Sequence, residues 1–481
     1  MKQKSLKINA ALNFIKTIFG LIFPLITFPY VSRVLLPEGI GRVNFAQSIV
    51  SYFSLIASLG ITNYGIREAS KVRDDNFKLN QFSKELLVIN LISTEVAYFL
   101  FFISIFIIPK FSEYRPLLCV CSSIILFSTL GMDWLYTAVE DFLYITIRSI
   151  IFQFISLMLL FIFVKNENDY LIYAGIAVFS SVGSNIMNFL HSRKIINFKE
   201  CSKLELKKHL KPIFILFSMA VTIQIYTALD TTMLGFISGE WYVGIYSAAT
   251  KINKIVLSAV VSVSAVILPR LAYYTSLNKS DEFNKLVYKG IDLILLFSIP
   301  ATIGLCLLSK QVILVLSGQS FIEAVNPMRV MNPIIIVIGL SNFMGVQIFM
   351  PLNKEKYTLY SVITGATINF ILNIILIPKC NALGAAIATI CAEFMVTFVQ
   401  FVFAHKIIRY RFVLKRALIY VANSVVMAIP VLLCIFFIKI DWVILVAGII
   451  SGALTYLIML IIERNQFVLS VFNSMKVRLK K

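Results

Sequence analysis

The chain has 481 residues, of which 59% are hydrophobic and only 14% are charged. A soluble protein of this length carries about 25% charged residues, so this composition excludes an ordinary soluble enzyme and favours a membrane protein. The net charge of +20 would suit a nucleic-acid-binding protein, but the basic residues lie in short stretches between apolar runs. We interpret them as topology signals and contacts with anionic membrane lipids, and we expect no nucleic acid as a partner.

Fourteen apolar runs are each long enough to cross a bilayer. Since lipid offers the backbone no hydrogen-bond partner, each run is predicted to be a helix, and the protein an all-α polytopic membrane protein. The predicted spans are, in chain order, 8–34, 42–65, 85–108, 116–138, 144–164, 170–190, 212–237, 243–268, 289–308, 326–350, 357–377, 381–405, 416–438 and 441–462.

A basic segment, His191–Lys211, separates six predicted spans from eight and contains seven Lys or Arg residues against two Glu. Two interpretations remain open: a solvated linker, or a segment on the membrane surface with its apolar residues in the interface. Those apolar residues are Ile195, Ile196, Leu204, Leu206 and Leu210. The predicted domains are an N-terminal lobe 1–190, the linker 191–211, a C-terminal lobe 212–405, and a region 406–481 with two further helices and a tail.

The distribution of basic residues predicts the orientation. With the amino terminus inside, the cytoplasmic segments contain 31 Lys and Arg residues and the outside loops contain 8. Because cytoplasmic loops are enriched in Lys and Arg, both termini and the linker are predicted to be cytoplasmic.

Five cations fall within the predicted spans: Lys16, Arg148, Lys251, Lys254 and Arg329. A Lys or Arg at the bilayer centre costs about 2.5–3.5 kcal/mol, so such residues face a cavity or a partner. Lys251 and Lys254 share a helix face with Ser247 and Ser258, and helices 1, 2 and 7 also carry polar stripes. These stripes predict a shared aqueous cavity, whereas Ser and Thr alone are also typical of tight helix packing. The predicted cavity residues are Lys16, Asn44, Ser48, Ser51, Gln224, Tyr226, Asp230, Lys251 and Lys254.

A second charged group surrounds the turn between predicted helices 4 and 5. Asp133 and Glu140 are seven residues apart, and so are Asp141 and Arg148. If these helices are continuous, the members of each pair lie on the same helix face. We interpret these four residues, together with Arg67 and Glu68, as an inner gate; a static ion-pair network is the alternative.

Motifs for catalysis are absent from the sequence. It contains no phosphate-binding P-loop, no DxD motif for a nucleotide sugar and no metal-type spacing beyond one CxC pair, Cys119 and Cys121. We therefore expect no cofactor, no metal and no enzyme activity. An ion gradient is the natural driver of transport, with Asp230, Asp292 and Glu393 as candidate coupling carboxylates. Each of them equally suits a role in hydrogen bonding between helices.

Three stretches carry a family resemblance: Phe23–Asp75 (FPLITFPYVSRVLLPEGIGRVNFAQSIVSYFSLIASLGITNYGIREASKVRDD), Gly131–Phe152 and Tyr226–Ile252. They resemble polysaccharide biosynthesis flippases, the O-antigen transporter branch of the multidrug/oligosaccharidyl-lipid/polysaccharide (MATE-like) superfamily. The resemblance implies a V-shaped transporter with two six-helix lobes and alternating access. It also implies a bacterial inner-membrane location and an undecaprenyl-diphosphate-linked oligosaccharide, such as an O-antigen or capsule or exopolysaccharide repeat unit, as substrate. The polysaccharide polymerase and chain-length machinery are further implied partners.

The two last spans resemble the fourteen-helix arrangement of peptidoglycan-lipid flippases, where such helices border a groove for the lipid tail. Within the chain, Gly41 begins GRVNFAQSI and Gly244 begins GIYSAATKI, a faint similarity that suggests parallel repeats. Two other functions compete with the flippase. A cation-coupled multidrug exporter would favour an acidic cavity, and a membrane polymerase or glycosyltransferase would need a larger region outside the membrane.

Overall fold

The structure, a computed structural model, describes residues 6–197, 204–265, 267–405, 407–408, 410–465 and 467–469. Every regular element within these ranges is helical. This confirms the prediction of an all-α membrane protein. The chain forms two compact units, Met1–Ser247 and Ala248–Lys481. The predicted lobe and linker limits stay a prediction.

In its described part, the first unit contains ten helices and the start of an eleventh. They are α1 (Leu6–Ser58), α2 (Ile61–Val72), α3 (Asn76–Ile107), α4 (Pro109–Glu113), α5 (Arg115–Gly131), α6 (Asp133–Ala138), α7 (Phe142–Phe163), α8 (Tyr170–Val178), α9 (Asn185–Ser192), α10 (Lys207–Ile237) and α11 (Glu240–Ala265). A π-helical segment, Phe179–Gly183, joins α8 to α9. α1 packs against α3, α5, α7 and α10, so it forms the centre of this unit.

The second unit continues from α11 with seven more helices in the described ranges. They are α12 (Leu268–Ser276), α13 (Ser280–Leu316), α14 (Val325–Met331), α15 (Ile334–Asn342), α16 (Glu355–Ala404), α17 (Tyr410–Phe437) and α18 (Asp441–Ile462). α17 and α18 pack against each other and both pack against α13. The two C-terminal helices therefore belong to the body of this unit.

Two of the long helices are interrupted by one non-helical residue each. α1 is interrupted at Leu36, where φ is 58°, and α16 at Asn381, where φ is 49°. The residue before a proline is sterically pushed out of the α region, and Leu36 precedes Pro37. The predicted spans 8–34 and 42–65 therefore meet at one break, and 357–377 and 381–405 at the other.

The number of membrane spans in the structure agrees with the number predicted from the sequence. Ten described helical segments are long and apolar enough to cross a membrane, and the bent pair Gln319–Met331 and Ile334–Phe349 makes an eleventh. Counting each interrupted helix as two spans and α11 as one more gives the predicted fourteen. The protein is a multi-pass membrane protein.

The described parts of the basic segment pack on the first unit. Ile196 is buried in a hydrophobic cluster with Tyr64, Leu86 and Trp134, and Ile195 and Leu206 pack against the same cluster. The expectation that these three residues insert into the membrane interface is therefore wrong, because α2, α3 and α6 offer them an apolar surface. Leu204 and Leu210 are exposed, and residues 198–203 lie outside the described ranges.

The second part of α1, which follows the break at Leu36, crosses the start of α11 at two glycines. A Cβ atom on Gly41 would lie 1.7 Å from the carbonyl oxygen of Glu240, and one on Gly244 would lie 1.9 Å from the carbonyl oxygen of Pro37. Only residues without a side chain allow the backbones to approach so closely. The two segments that the sequence shows to be similar thus cross each other within the first unit.

Candidate transport site

A polar seam, defined by Ser48, Ser51, Gln224 and Thr232, connects the second part of α1 to α10. Gln224 Nε2 donates to Ser51 Oγ at 2.8 Å, and Thr232 Oγ1 donates to Ser48 Oγ at 3.1 Å. Ser48 and Ser51 also donate to main-chain carbonyls one turn earlier, which satisfies these hydroxyls within a membrane helix. The structure therefore brings together three predicted cavity residues: Ser48, Ser51 and Gln224.

Asp230 lies on α10 close to this seam and is buried. Tyr246 Oη on α11 donates to Asp230 Oδ2 at 2.7 Å. A charged hydrogen bond of this kind stabilises a buried carboxylate. Asn44 and Tyr226, the other predicted cavity residues of this region, are half-buried.

Lys16 is half-buried on the first part of α1, within electrostatic range of Asp133 and Arg148. The predicted cavity cation is thus a neighbour of the predicted gate. The sequence placed these two groups in separate sites because Lys16 and Asp133 are more than a hundred residues apart in the chain.

Lys251 and Lys254 lie on the part of α11 that belongs to the second unit. Lys251 is half-buried and Lys254 is exposed. Their ammonium groups interact electrostatically, and since both are positive this interaction is repulsive. A bound anion would relieve that repulsion.

The gate residues pair differently from the spacing prediction. Arg148 Nη2 lies 3.2 Å from Asp133 Oδ1, and Asn188 Nδ2 donates to the same oxygen at 2.8 Å. Glu140 accepts a hydrogen bond from Arg73, which raises the pKa of that guanidinium above its ordinary value. α6 ends at Ala138 and Glu140 has a left-handed conformation, so the helices are not continuous and the seven-residue spacing does not apply to Asp133 and Glu140.

The remaining predicted gate residues lie at the surface of α2. Arg67 Nε is 2.8 Å from Glu68 Oε1, and Lys71 Nζ is 2.8 Å from Glu68 Oε2. Such exposed pairs contribute about 0–1 kcal/mol. Asp141 is half-buried in the turn after α6.

Of the other candidate coupling carboxylates, Asp292 has clear partners. Arg416 Nε lies 3.1 Å from Asp292 Oδ1, and Tyr420 Oη donates to the same oxygen at 2.8 Å. These contacts join α13 to α17. Glu393 is buried on α16.

A buried ionic cluster in the first unit was missed by the sequence analysis. Glu85 is fully buried, His209 Nε2 lies 2.8 Å from Glu85 Oε2, and Lys208 Nζ lies 3.1 Å from it. Tyr64 Oη lies 2.8 Å from His209 Nδ1. The sequence places His209 in a basic segment, and nothing in its spacing indicates a partner 124 residues away.

An apolar cavity of about 660 Å³ lies among α13, α17 and α18. Its walls include Pro300, Gly304, Met427, Val431 and Gly452. The Tyr456 hydroxyl, which also lines it, donates to the Leu296 carbonyl at 2.9 Å. The volume is typical of a small-molecule site, and the lining suits hydrocarbon.

The family model described as polysaccharide biosynthesis protein matches residues 6–275, more than half of the 481 residues. The chain belongs to the polysaccharide biosynthesis protein family. The resemblance seen in the three sequence stretches is confirmed.

Two relatives each align with about four-fifths of the chain. The putative O-antigen transporter of Escherichia coli (strain K12) is 24% identical over 392 residues, which are 79% of this chain and 92% of the relative. The capsular polysaccharide biosynthesis protein CapF of Staphylococcus aureus is 24% identical over 406 residues, covering 82% and 98% of the two chains.

Two solved structures share the fold. The lipid II flippase MurJ, in an inward closed conformation, has a TM-score of 0.76 at 18% identity and covers 96% of this chain and 99% of its own. An inward-facing multidrug resistance MATE family transporter has a TM-score of 0.64 at 14% identity, covering 83% and 97%. The predicted MATE-like fold is confirmed. The putative O-antigen transporter and both solved structures are transporters or flippases, in agreement with the expectation of a transporter and not an enzyme.

Proposed function

We propose that this protein is a flippase that moves an undecaprenyl-diphosphate-linked oligosaccharide from the inner to the outer leaflet of the bacterial inner membrane. The cargo is an O-antigen, capsule or exopolysaccharide repeat unit, and the mechanism is alternating access. The apolar cavity among α13, α17 and α18 carries this proposal. A cargo with a long hydrocarbon tail needs such a surface, since each buried CH₂ group contributes about 0.8 kcal/mol.

Each chemical part of this cargo has a candidate partner. Lys251 and Lys254 offset the diphosphate charge, and a like-charged pair in a membrane helix is stabilised when an anion lies between its members. The polar seam offers hydroxyl and amide groups of the kind that bind sugars. The apolar cavity takes part of the polyprenyl tail.

The orientation and the driving force complete the proposal. Both termini and the segment 191–211 are cytoplasmic, because that side then contains 31 of the Lys and Arg residues. An ion gradient drives transport, with Asp230 or Glu393 as the coupling carboxylate. Asp292 is assigned to interhelical packing, since Arg416 and Tyr420 both bind its Oδ1.

The experiment uses a strain that lacks this gene and measures lipid-linked repeat units and surface polysaccharide. We expect the deletion to leave lipid-linked units intact but stranded inside, and the wild-type gene to restore export. Lys251→Gln with Lys254→Gln should insert normally and lower export at least tenfold. The matched control, Lys251→Arg with Lys254→Arg, keeps both charges and should retain most of the export.

Three results would contradict this proposal. Loss of lipid-linked units in the deletion strain would favour a biosynthetic enzyme. Altered drug susceptibility with unchanged surface polysaccharide would favour a multidrug exporter. Normal export by the double Gln variant would remove the two lysines from the diphosphate site.

A further inference from the structure

A second pocket, of about 480 Å³, lies between α13 and α17. We call it the α13–α17 pocket. Its lining differs from that of the apolar cavity, because it combines three cations, one carboxylate and three aromatic rings. These residues are Lys285, Tyr288, Lys289, Asp292, Phe412, Arg416 and Phe467.

The pocket has an excess of positive charge. Lys285, Lys289 and Asp292 follow one face of α13 at helical spacing. Asp292 is engaged by Arg416, whose Nε lies 3.1 Å from Oδ1. Lys285 and Lys289 are exposed, and no described carboxylate forms an ion pair with either of them. Three cations against one carboxylate leave the pocket with two uncompensated positive charges.

Hydrogen bonds and ring contacts hold the walls of the pocket in place. Tyr288 Oη donates to the Ile407 carbonyl at 3.2 Å, and the Tyr288 and Phe412 rings meet edge to face with centroids 4.7 Å apart. Tyr420 Oη donates to Asp292 Oδ1 at 2.8 Å and accepts from Asn465 Nδ2 at 3.2 Å. The charged wall of α17 is therefore positioned before any ligand arrives.

The pocket adjoins the apolar cavity at Phe467, whose side chain lines both. Its ring contacts Phe297 of the apolar cavity edge to face, with centroids 6.2 Å apart. Along α13, Leu293 lines the pocket and Leu296 lines the cavity, less than one turn apart. A cationic pocket thus continues into an apolar cavity. This arrangement is complementary to an anionic lipid, which has a negative headgroup next to an apolar tail.

We propose that the α13–α17 pocket is a loading site for the diphosphate headgroup of a polyprenyl lipid in the inner leaflet, with the start of its tail in the apolar cavity. The identity of the lipid rests on the proposed function. The charge count favours a diphosphate, which carries about two negative charges, over a phosphodiester headgroup, which carries about one. In the proposed orientation, Lys285 and Lys289 lie at the cytoplasmic end of α13, where newly made lipid-linked units arrive.

The test measures binding of undecaprenyl diphosphate to the purified full-length protein in phosphatidylcholine nanodiscs. Lys285→Gln and Lys289→Gln should each weaken binding about fivefold, and the double variant about 25-fold, as expected for about 1 kcal/mol per cation near a lipid surface. Lys310→Gln is the matched control and should leave binding unchanged, because this exposed lysine lies on the same helix about 32 Å from Lys289 and about 37 Å from Lys285. Phosphatidylglycerol at equal mole fraction should compete weakly.

Two outcomes reject the loading site: unchanged affinity in the double variant, or equally strong competition by phosphatidylglycerol, which would make the pocket a general anionic-lipid site. The export assay in the deletion strain separates this failure from failure of the proposed function. Should the wild-type gene restore export while the pocket variants bind normally, the loading site is rejected and the flippase stands. Should wild-type protein restore no export, the proposed function itself is rejected.

Discussion

The glycine crossing between α1 and α11 supports a quantitative prediction. In the Gly244→Ala variant, the new Cβ would lie 1.9 Å from the Pro37 carbonyl oxygen, whereas ordinary contacts of a Cβ begin at 3.4 Å. The two helices must therefore separate by about 1.5 Å at this point, since neither atom belongs to a flexible side chain. Gly41→Ala meets the same obstacle at the Glu240 carbonyl, where the distance is 1.7 Å.

The net change in the stability of the Gly244→Ala variant is the difference between two free-energy contributions. Overpacking costs about 1–3 kcal/mol, and replacing a helical Gly by Ala regains about 0.8–1.0 kcal/mol of helix propensity. The difference is a loss of about 0–2 kcal/mol, and since the Cβ would meet a backbone oxygen at 1.9 Å, we expect Gly244→Ala to lie near the upper end of this range. The separation also weakens the contacts of Glu240 with Tyr114, now 3.0 Å, and with Arg42, now 3.4 Å.

Thermal unfolding of the purified protein in detergent measures this effect. The matched control is Gly175→Ala on α8, where the new Cβ would meet only Val120 Cγ1, at 3.9 Å. That variant should be as stable as wild type or more stable. The Gly41→Ala, Gly244→Ala double variant should lose less than the sum of the single losses, because the first separation makes room for the second Cβ. A Gly244→Ala protein as stable as the control would refute the close crossing.

Two further predictions concern the basic segment. Glu85→Gln removes the buried charge that binds His209 and Lys208. We expect it to destabilise the protein by about 1–3 kcal/mol and to speed proteolysis between residues 191 and 211. The control, Glu95→Gln at an exposed position of the same helix, should change neither the unfolding temperature nor the cleavage rate. Single cysteines placed between residues 191 and 211 in a cysteine-free protein should react with a membrane-impermeant reagent only after the cells are opened. Clean labelling of intact cells would instead show that this segment lies outside and would contradict the proposed orientation.

Much of this architecture follows from the sequence alone. Apolar runs of twenty or more residues admit only helices in lipid, so the class of the protein, its fourteen spans and the two additional C-terminal helices could be predicted. The similarity of the segments at Gly41 and Gly244 was also visible. What could not be predicted is that they cross each other, because a repeat in sequence does not specify which faces pack together.

Side-chain partners were decided by tertiary structure. Arg148 on α7 pairs with Asp133 on the separate short helix α6, where Asn188 of α9 also donates to the same oxygen, and this packing of three helices is not visible in the spacing. His209 reaches Glu85 only because the basic segment folds back onto α3. Likewise Lys285 and Lys289 resemble ordinary topology signals until α17 places Arg416 opposite them. The hydropathy of a span depends only on residues that are adjacent in the chain, so the sequence predicts it. Ion pairs and pockets depend on contacts between residues that are distant in the chain, so only the tertiary structure determines them.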